Sequence, residues 1–314
     1  MTGRKVTLLG PQGERPNLRD VLAPPPGGKP LAVVTAGWQE REHEVEVLDH
    51  HLGRPTVNLA LYRRSDEVLA ARPDLRRALR DRKVLLDRLQ SLYETQLAGA
   101  LDAVRTLLPQ AEEEPDVVAP YLEGTIDMVR LVDESHLARV ARVRAEFEAE
   151  QRYEAQPEIQ RHREELGNLL AGCSALLVAG GHVLVLLNRL RLFGICDLIG
   201  DLPVAAWSAG AMALTERIVL FHHNPPQGHN NSQVAAPGLG ICPGAVVFPH
   251  ANRRLRLNEP RRVSLLARRF APAACLAMDS GGWATLEGDR WRGGGACRRL
   301  TLTGGLEPVE ARCR

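Results

Sequence analysis

No run of this chain approaches the roughly 18 consecutive apolar residues that a membrane-spanning helix requires, so no membrane partner is expected. The opening stretch, MTGRKVTLLGPQGERP, also lacks an apolar core of signal-peptide length, and a soluble, cytoplasmic protein is expected. An excess of one charge is missing too. The 40 Lys and Arg face 38 Asp and Glu, and a formal charge of +2 gives no general attraction to nucleic acid or anionic lipid. Cys173, Cys196, Cys242, Cys275, Cys297 and Cys313 show no C-x-x-C spacing, which argues against a zinc ribbon or a thioredoxin-like pair and leaves reduced, structural thiols. Self-similarity at a period of about 20 to 50 residues is absent, which removes the solenoids. His222, His223 and His229 crowd the loop FHHNPPQGHNN, but no carboxylate or thiol is spaced among them. No metal and no cofactor are expected.

What is present is a chain of 314 residues, long enough for one large α/β domain with an insertion. KVTLLG and PLAVVTAG are aliphatic, β-branched runs closed by glycine and separated by APPPGGKP, the pattern of strands buried on both faces. The character then changes. VLLDRLQSLYETQLAGALDAVRTLL places Leu85, Leu89, Leu92, Leu97, Leu101, Val104 and Leu108 near helical spacing. A second helical stretch starting at Tyr121 follows the acidic, proline-bounded turn QAEEEPDVVAP, so a helical hairpin or small bundle is expected. Its Arg- and Glu-rich outer face is read as solvated, and its apolar stripes make a homodimer through the insertion the assembly to test. Strand grammar returns at CSALLVAGGHV and recurs at LPVAAWSAGAMAL, GLGICPGAVVFPH, AACLAMDSGGWATLEGDRWR and CRRLTLTGG, with a hairpin at Glu287, Gly288 and Asp289. The expected organisation is a first part of an α/β core over residues 1–60, a helical insertion over 61–165 and the rest of the core over 166–314. Such alternation predicts a mostly parallel sheet covered by helices, with function beyond the carboxyl ends of its strands.

Ser208 stands where an apolar run gives way to a good helix former. A nucleophile at a sharp strand-to-helix turn needs very small neighbours two residues away on each side, and Ala206 and Gly210 fill those places. This is the G-x-S-x-G elbow with its first glycine relaxed to alanine. Such a turn aims the amide of Ala209 at the point where a carbonyl oxygen would become negative. A serine at a helix start is equally suited to capping that helix, which is the competing reading. Gly180 and Gly181 follow an upstream strand, and the Gly181 amide is placed to complete an oxyanion hole; a glycine pair there also serves as a plain turn. His250 ends the strand VVFPH, where it is either a base meeting Ser208 across the crevice or a structural histidine of the same sheet.

Together, WSAGAMAL, GGHV and GLGICPGAVVFPHANRRLRL resemble the dipeptidase E and cyanophycinase family of serine peptidases. The resemblance covers residues 5–58 and 166–287. It implies a three-layer α/β/α sandwich of the class I glutamine amidotransferase-like, flavodoxin-like kind, with Ser208 as nucleophile, His250 as base and Gly180 and Gly181 bordering the oxyanion hole. Arg254 and Arg256 match arginines that follow the histidine in the cyanophycinase-like branch, where they would hold the loop or a substrate carboxylate. AVVTAGW resembles the family's early strand, and the trailing QERE is expected at the crevice rim. Three departures stand out. AMDSGG keeps Asp279 but has Ser280 where the cyanophycinase branch has a glutamate, the acid position of the dipeptidase branch falls on His223, and the helical insertion has no counterpart in compact members. Asp279 is the acid expected to orient His250.

The resemblance implies a serine hydrolase acting on a peptide or an amino-acid-derived small substrate. The alternative is a catalytically weak or inactive relative that acts as a binding or scaffold protein through its insertion. A glutamine amidotransferase is disfavoured, because its elbow carries cysteine and its histidine is followed by x-Glu, whereas here HAN follows the strand.

Overall fold

Short aliphatic runs supply the strands of the main sheet: β1 (Val6–Leu9), β2 (Leu31–Val34), β4 (Leu176–Val178) and β5 (Val204–Trp207) are buried along their whole length, with β3 (Thr56–Asn58) at the edge. The computed structural model describes residues 4–22, 28–221, 231–288 and 290–312. His222, His223, His229, Asp289 and Cys313, and with them the histidine loop, lie outside the described residues.

β3, β2, β4, β5 and β1 pair in parallel in that spatial order. β10 (Trp283–Glu287), β11 (Arg290–Gly294) and β14 (Glu310–Arg312) then extend the sheet antiparallel from β1. The result is a mixed α/β fold with a large, parallel-rich sheet. Successive residues of each strand serve opposite faces: Leu8, Val34, Val178 and Ala206 join one apolar core, and Leu9, Val33, Leu177 and Ala205 the other. Because the parallel strands share a direction, their carboxyl ends gather Gly10, Thr35, Ala179 and Ser208 along one rim of the sheet. A hairpin joins β10 and β11, with Glu287 opposite Arg290.

The sequence grammar puts the strand of His250 in the sheet of the serine, and the structure corrects this. β8 (Ala245–Pro249) pairs in parallel with β9 (Ala274–Met278) in a separate sheet completed by β12 (Cys297–Leu300) and β13 (Leu306–Glu307). The physical reason is that antiparallel β10 already holds the outer edge of β1. The segment before β8 contributes only an isolated bridge between Thr215 and Cys242, and β6 (Arg217–Leu220) forms a ribbon with β7 (Gln233–Pro237). No disulfide joins the described cysteines.

The described α-helices outside residues 61–171 are short: α1 (Leu18–Val21), α2 (Glu46–Leu52), α7 (Val183–Leu192), α8 (Ile195–Leu198), α9 (Ala209–Leu214), α10 (Ala251–Arg254) and α11 (Pro260–Phe270). Between β3 and β4 lie α3 (Leu61–Ala71), α4 (Pro73–Glu113), α5 (Pro115–Gln151) and α6 (Pro157–Ala171). α4 and α5 are 41 and 37 residues long and meet at Glu114, so most of the expected acidic turn is helical. Pro115 sits at the start of α5, where its missing amide hydrogen costs nothing, while Pro109 and Pro120 fall within about two turns of the hairpin tip. On α4, Leu97, Leu101 and Val104 are buried and Leu85 and Leu92 exposed, because the buried face runs through Leu75, Leu86, Tyr93 and Leu97, and Leu85 and Leu92 each sit one residue, about 100°, off it.

Candidate active site

The turn at Ser208 is built by its small neighbours. Ala205 and Ala206 bring β5 to its end in the middle of the sheet, and the chain reverses into α9 through Ser208 at φ 52 and ψ −119. A residue with a Cβ is costly there, on the order of 1–3 kcal/mol, and persists only where its surroundings hold it. Here the Ser208 amide donates to the Leu9 carbonyl at 3.0 Å and its own carbonyl accepts from Met212 at 3.1 Å. Its hydroxyl makes no capping bond to α9, so the capping alternative has no support in the structure. Gly210 is demanded by contact: a Cβ there would collide with the Val178 carbonyl oxygen and stand 2.7 Å from that of Ala179.

Gly180 lies against the serine, with a Cβ position only 3.0 Å from the Ser208 Cβ. Gly181 has φ +106, and a Cβ on it would collide with the Gly37 carbonyl oxygen and lie 3.0 Å from the Gly37 Cα. Gly37 is equally constrained by the Gly180 carbonyl, and its own carbonyl accepts from the His182 amide at 2.8 Å. Three glycines thus let the turn after β4 and the turn after β2 touch backbone to backbone. Among the described residues, the amides of Gly181 and Ala209 donate to no acceptor. Ser208, Gly180 and Gly181 open on a cavity of about 380 Å³ whose walls include Trp38, Leu48, His51 and Trp207.

His250 follows β8 at φ 56 and ψ 39, and its amide donates to the Met278 carbonyl at 2.9 Å. Desolvation and then Arg254 push its pKa below the ordinary 6.5, against the opposing pull of Asp279 and Glu14. The ring is therefore neutral near pH 7, the state a proton acceptor needs. Asp279 follows β9 and accepts the Asn252 amide at 3.1 and 3.3 Å, which caps the short helix that His250 begins. Burial raises its pKa, opposed by the Asn252 bond and by His250. Gly10, directly after β1, lies between the Ser208 turn and the Asp279 turn: the preceding carbonyl, that of Leu9, holds the Ser208 amide, while a Cβ on Gly10 would collide with the Asp279 carbonyl. Among the described residues no hydrogen bond joins Ser208 to His250 or His250 to Asp279, and His250 is not in the cavity wall.

Neither arginine that follows His250 lines the cavity. Arg254 lies beside the imidazole, with its own pKa lowered by burial and by Arg253. Arg256 instead pairs with Glu259 at 2.9 Å. The rim segment divides. Trp38 faces the Ser208 cavity, Gln39 takes φ 60 and ψ −124 beside a neighbouring cavity, and Glu42 turns inward to accept the amides of Tyr62 and Arg63 at 2.8 and 3.0 Å at the start of α3. Trp38, Gln12 and His51 line the cavity and Gly37 touches its Gly180 edge, and the motifs assigned none of them to the site. The glycine before the tryptophan in AVVTAGW was the one visible signal.

No family model matches the chain, and no curated protein does. Among solved structures, a peptidase from an acI-B1 Actinobacterium is similar at a TM-score of 0.47 and 16% identity, over 100% of this chain and 95% of that one. A "Putative Peptidase E Protein" from Listeria monocytogenes EGD-e is similar at a TM-score of 0.30 and 16% identity, over 44% of this chain and 65% of that one. Likenesses of this degree assign no role to any residue.

Proposed function

We propose that the chain is a serine hydrolase of the dipeptidase E and cyanophycinase type, cleaving a peptide or amide bond through an acyl-enzyme on Ser208. The observation that carries this reading is the uncapped serine at φ 52 and ψ −119, flanked by the free amides of Gly181 and Ala209 and opening on a cavity. Ser208 Oγ attacks the carbonyl while His250 takes its proton, and the amides of Gly181 and Ala209, with Gly180 shaping the wall, receive the oxyanion. Collapse breaks the C–N bond, and His250 returns the proton to the leaving amine. Water then attacks the ester with His250 as base, and the proton goes back to Ser208. Asp279 orients the imidazole. The Ser208–His250 bond forms with substrate in place, as catalytic hydrogen bonds often tighten only in the complex. Arg254, half-buried beside His250, receives a substrate carboxylate, and Arg256 holds the loop through Glu259.

The same reading includes the class I glutamine amidotransferase-like layering, a cytoplasmic location and a homodimer through the insertion. Support for the dimer is an exposed stripe on α5, where Val117, Tyr121, Met128 and Leu131 are 61%, 70%, 53% and 63% exposed. A second reading, a binding or scaffold protein without turnover, is favoured by two observations: Asp279 spends its carboxylate on Asn252, and among the described residues Ser208 has no bond to His250. A fluorophosphonate probe separates the two. Covalent labelling of the wild type that is lost in Ser208→Ala supports the hydrolase, and a folded wild type that takes no label supports the scaffold.

A further inference from the structure

We infer that the Ser208 cavity selects substrates in which a residue flanking the scissile bond carries an uncharged, apolar or aromatic side chain. This rests on the acyl-enzyme reading above. The cavity, about 380 Å³, falls in the range of roughly 300–1,000 Å³ usual for small-molecule sites. Leu18 of α1, Leu48 of α2 and the indoles of Trp38 and Trp207 form its apolar wall. Leu18, Leu48 and Trp207 belong, with Leu9 and Leu177, to the core on one face of the main sheet. The cavity is therefore an opening into a core.

The described lining contains no Arg, Lys, Asp or Glu. Besides Ser208 and the indoles, its polar side chains are Gln12, which is fully engaged, and His51, which is engaged through one nitrogen. Gln12 donates to the Gly10 carbonyl at 3.0 Å and to Asn17 Oδ1 at 2.9 Å, and its Oε1 accepts the amides of Asn17 and Leu18, both at 2.9 Å. His51 Nε2 accepts the Arg19 amide at 3.3 Å. Apart from the serine hydroxyl, backbone amides, His51 and the two indoles, what lines the cavity is carbon, with no carboxylate, guanidinium or ammonium among the described lining residues. A charged side chain would exchange water for a wall without a counter-ion, whereas an aliphatic or aromatic one gains apolar burial and indole contact. An acidic side chain placed in this cavity finds no cation in its wall, since Arg254 lies outside that wall.

The test is a set of dipeptides and dipeptide amides varied on both sides of the scissile bond, competed against one another with products followed by mass spectrometry. For Leu, Phe or Trp at one flanking position, kcat/KM is expected to exceed that for Asp or Lys there by at least about tenfold. Val47 lines the cavity and is 84% exposed, so Val47→Arg adds a cation without disturbing the core. That variant is expected to narrow the gap between Asp and Leu. Equal rates, a preference for charged residues at both positions, or an unchanged gap in Val47→Arg would overturn the inference. If fluorophosphonate still labels Ser208 in that case, the acyl-enzyme reading stands; a folded protein that takes no label removes both.

Discussion

At the scale of single residues, the site depends on places where a side chain is either forbidden or forced into an uncommon backbone conformation. Gly210 must be glycine because two carbonyl oxygens of the β4 end occupy the space of a Cβ. Gly210→Ala should therefore lower stability by about 1–3 kcal/mol in urea unfolding and slow fluorophosphonate labelling of Ser208. A loss of neither would mean that α9 does not press on β4 as described. His250 gives a second prediction, with a definite sign. Its pKa lies below 6.5, and in the proposed mechanism it must be neutral to accept the serine proton. The acidic limb of kcat/KM should accordingly have its midpoint below pH 6.5, and Arg254→Gln, which removes a neighbouring positive charge, should move that limb upward. These demands explain what the sequence made legible. A small residue required by contact leaves its mark locally, which is why Ala206, Ser208, Gly210 and the Gly180–Gly181 pair stood out. Gly37 meets its partner only across the sheet, and nothing in AVVTAGW says which backbone it touches.

At the scale of elements, β5 and α9 present the serine, and the long insertion is fastened to the core by a buried polar knot. Asp133 on α5 accepts two bonds from Arg269 on α11, both at 2.7 Å, and a third from Tyr93 on α4, also at 2.7 Å. Arg269 also donates to the Ser232 carbonyl beside β7 at 2.7 Å. The two charged side chains are 1% and 2% exposed. Removing one partner strands the other without water, so Asp133→Ala should cost about 3–5 kcal/mol in denaturant unfolding, and Asp133→Ala with Arg269→Met together should cost less than Asp133→Ala alone. A small effect in the single variant would show the pair to be open to solvent. Helix existence was legible here from spacing, since α4 and α5 repeat their apolar residues over many turns. The partner sheet of β8 was not, because strand pairing depends on which edge is already taken, and β10 takes the edge of β1 from a distant part of the chain.

At the scale of the whole molecule, one α/β core is interrupted between β3 and β4 by the helical insertion, and the joint between them contains a pH-dependent element. His136 on α5 stacks on Tyr93 at 4.1 Å and bonds to Gln90 at 3.0 Å. Desolvation, opposed by Asp133 and reinforced by Arg139, lowers its pKa from 6.5 to about 4. Between those values the unfolded chain binds a proton that the folded one refuses, so stability falls as pH drops through the window, by up to about 3 kcal/mol from this residue. His136→Gln should lose less stability than wild type between pH 7 and pH 4.5 in parallel urea titrations; identical losses would contradict the assignment. Light scattering on size-exclusion eluates tests the proposed dimer, with Tyr121→Glu and Met128→Glu expected to shift a dimer mass to that of a single chain. The most direct measurement of the central claim is peptide mapping of the folded protein after fluorophosphonate treatment. A single adduct on Ser208, formed more slowly in His250→Ala, is the predicted result, and an adduct at another residue or none at all would contradict it.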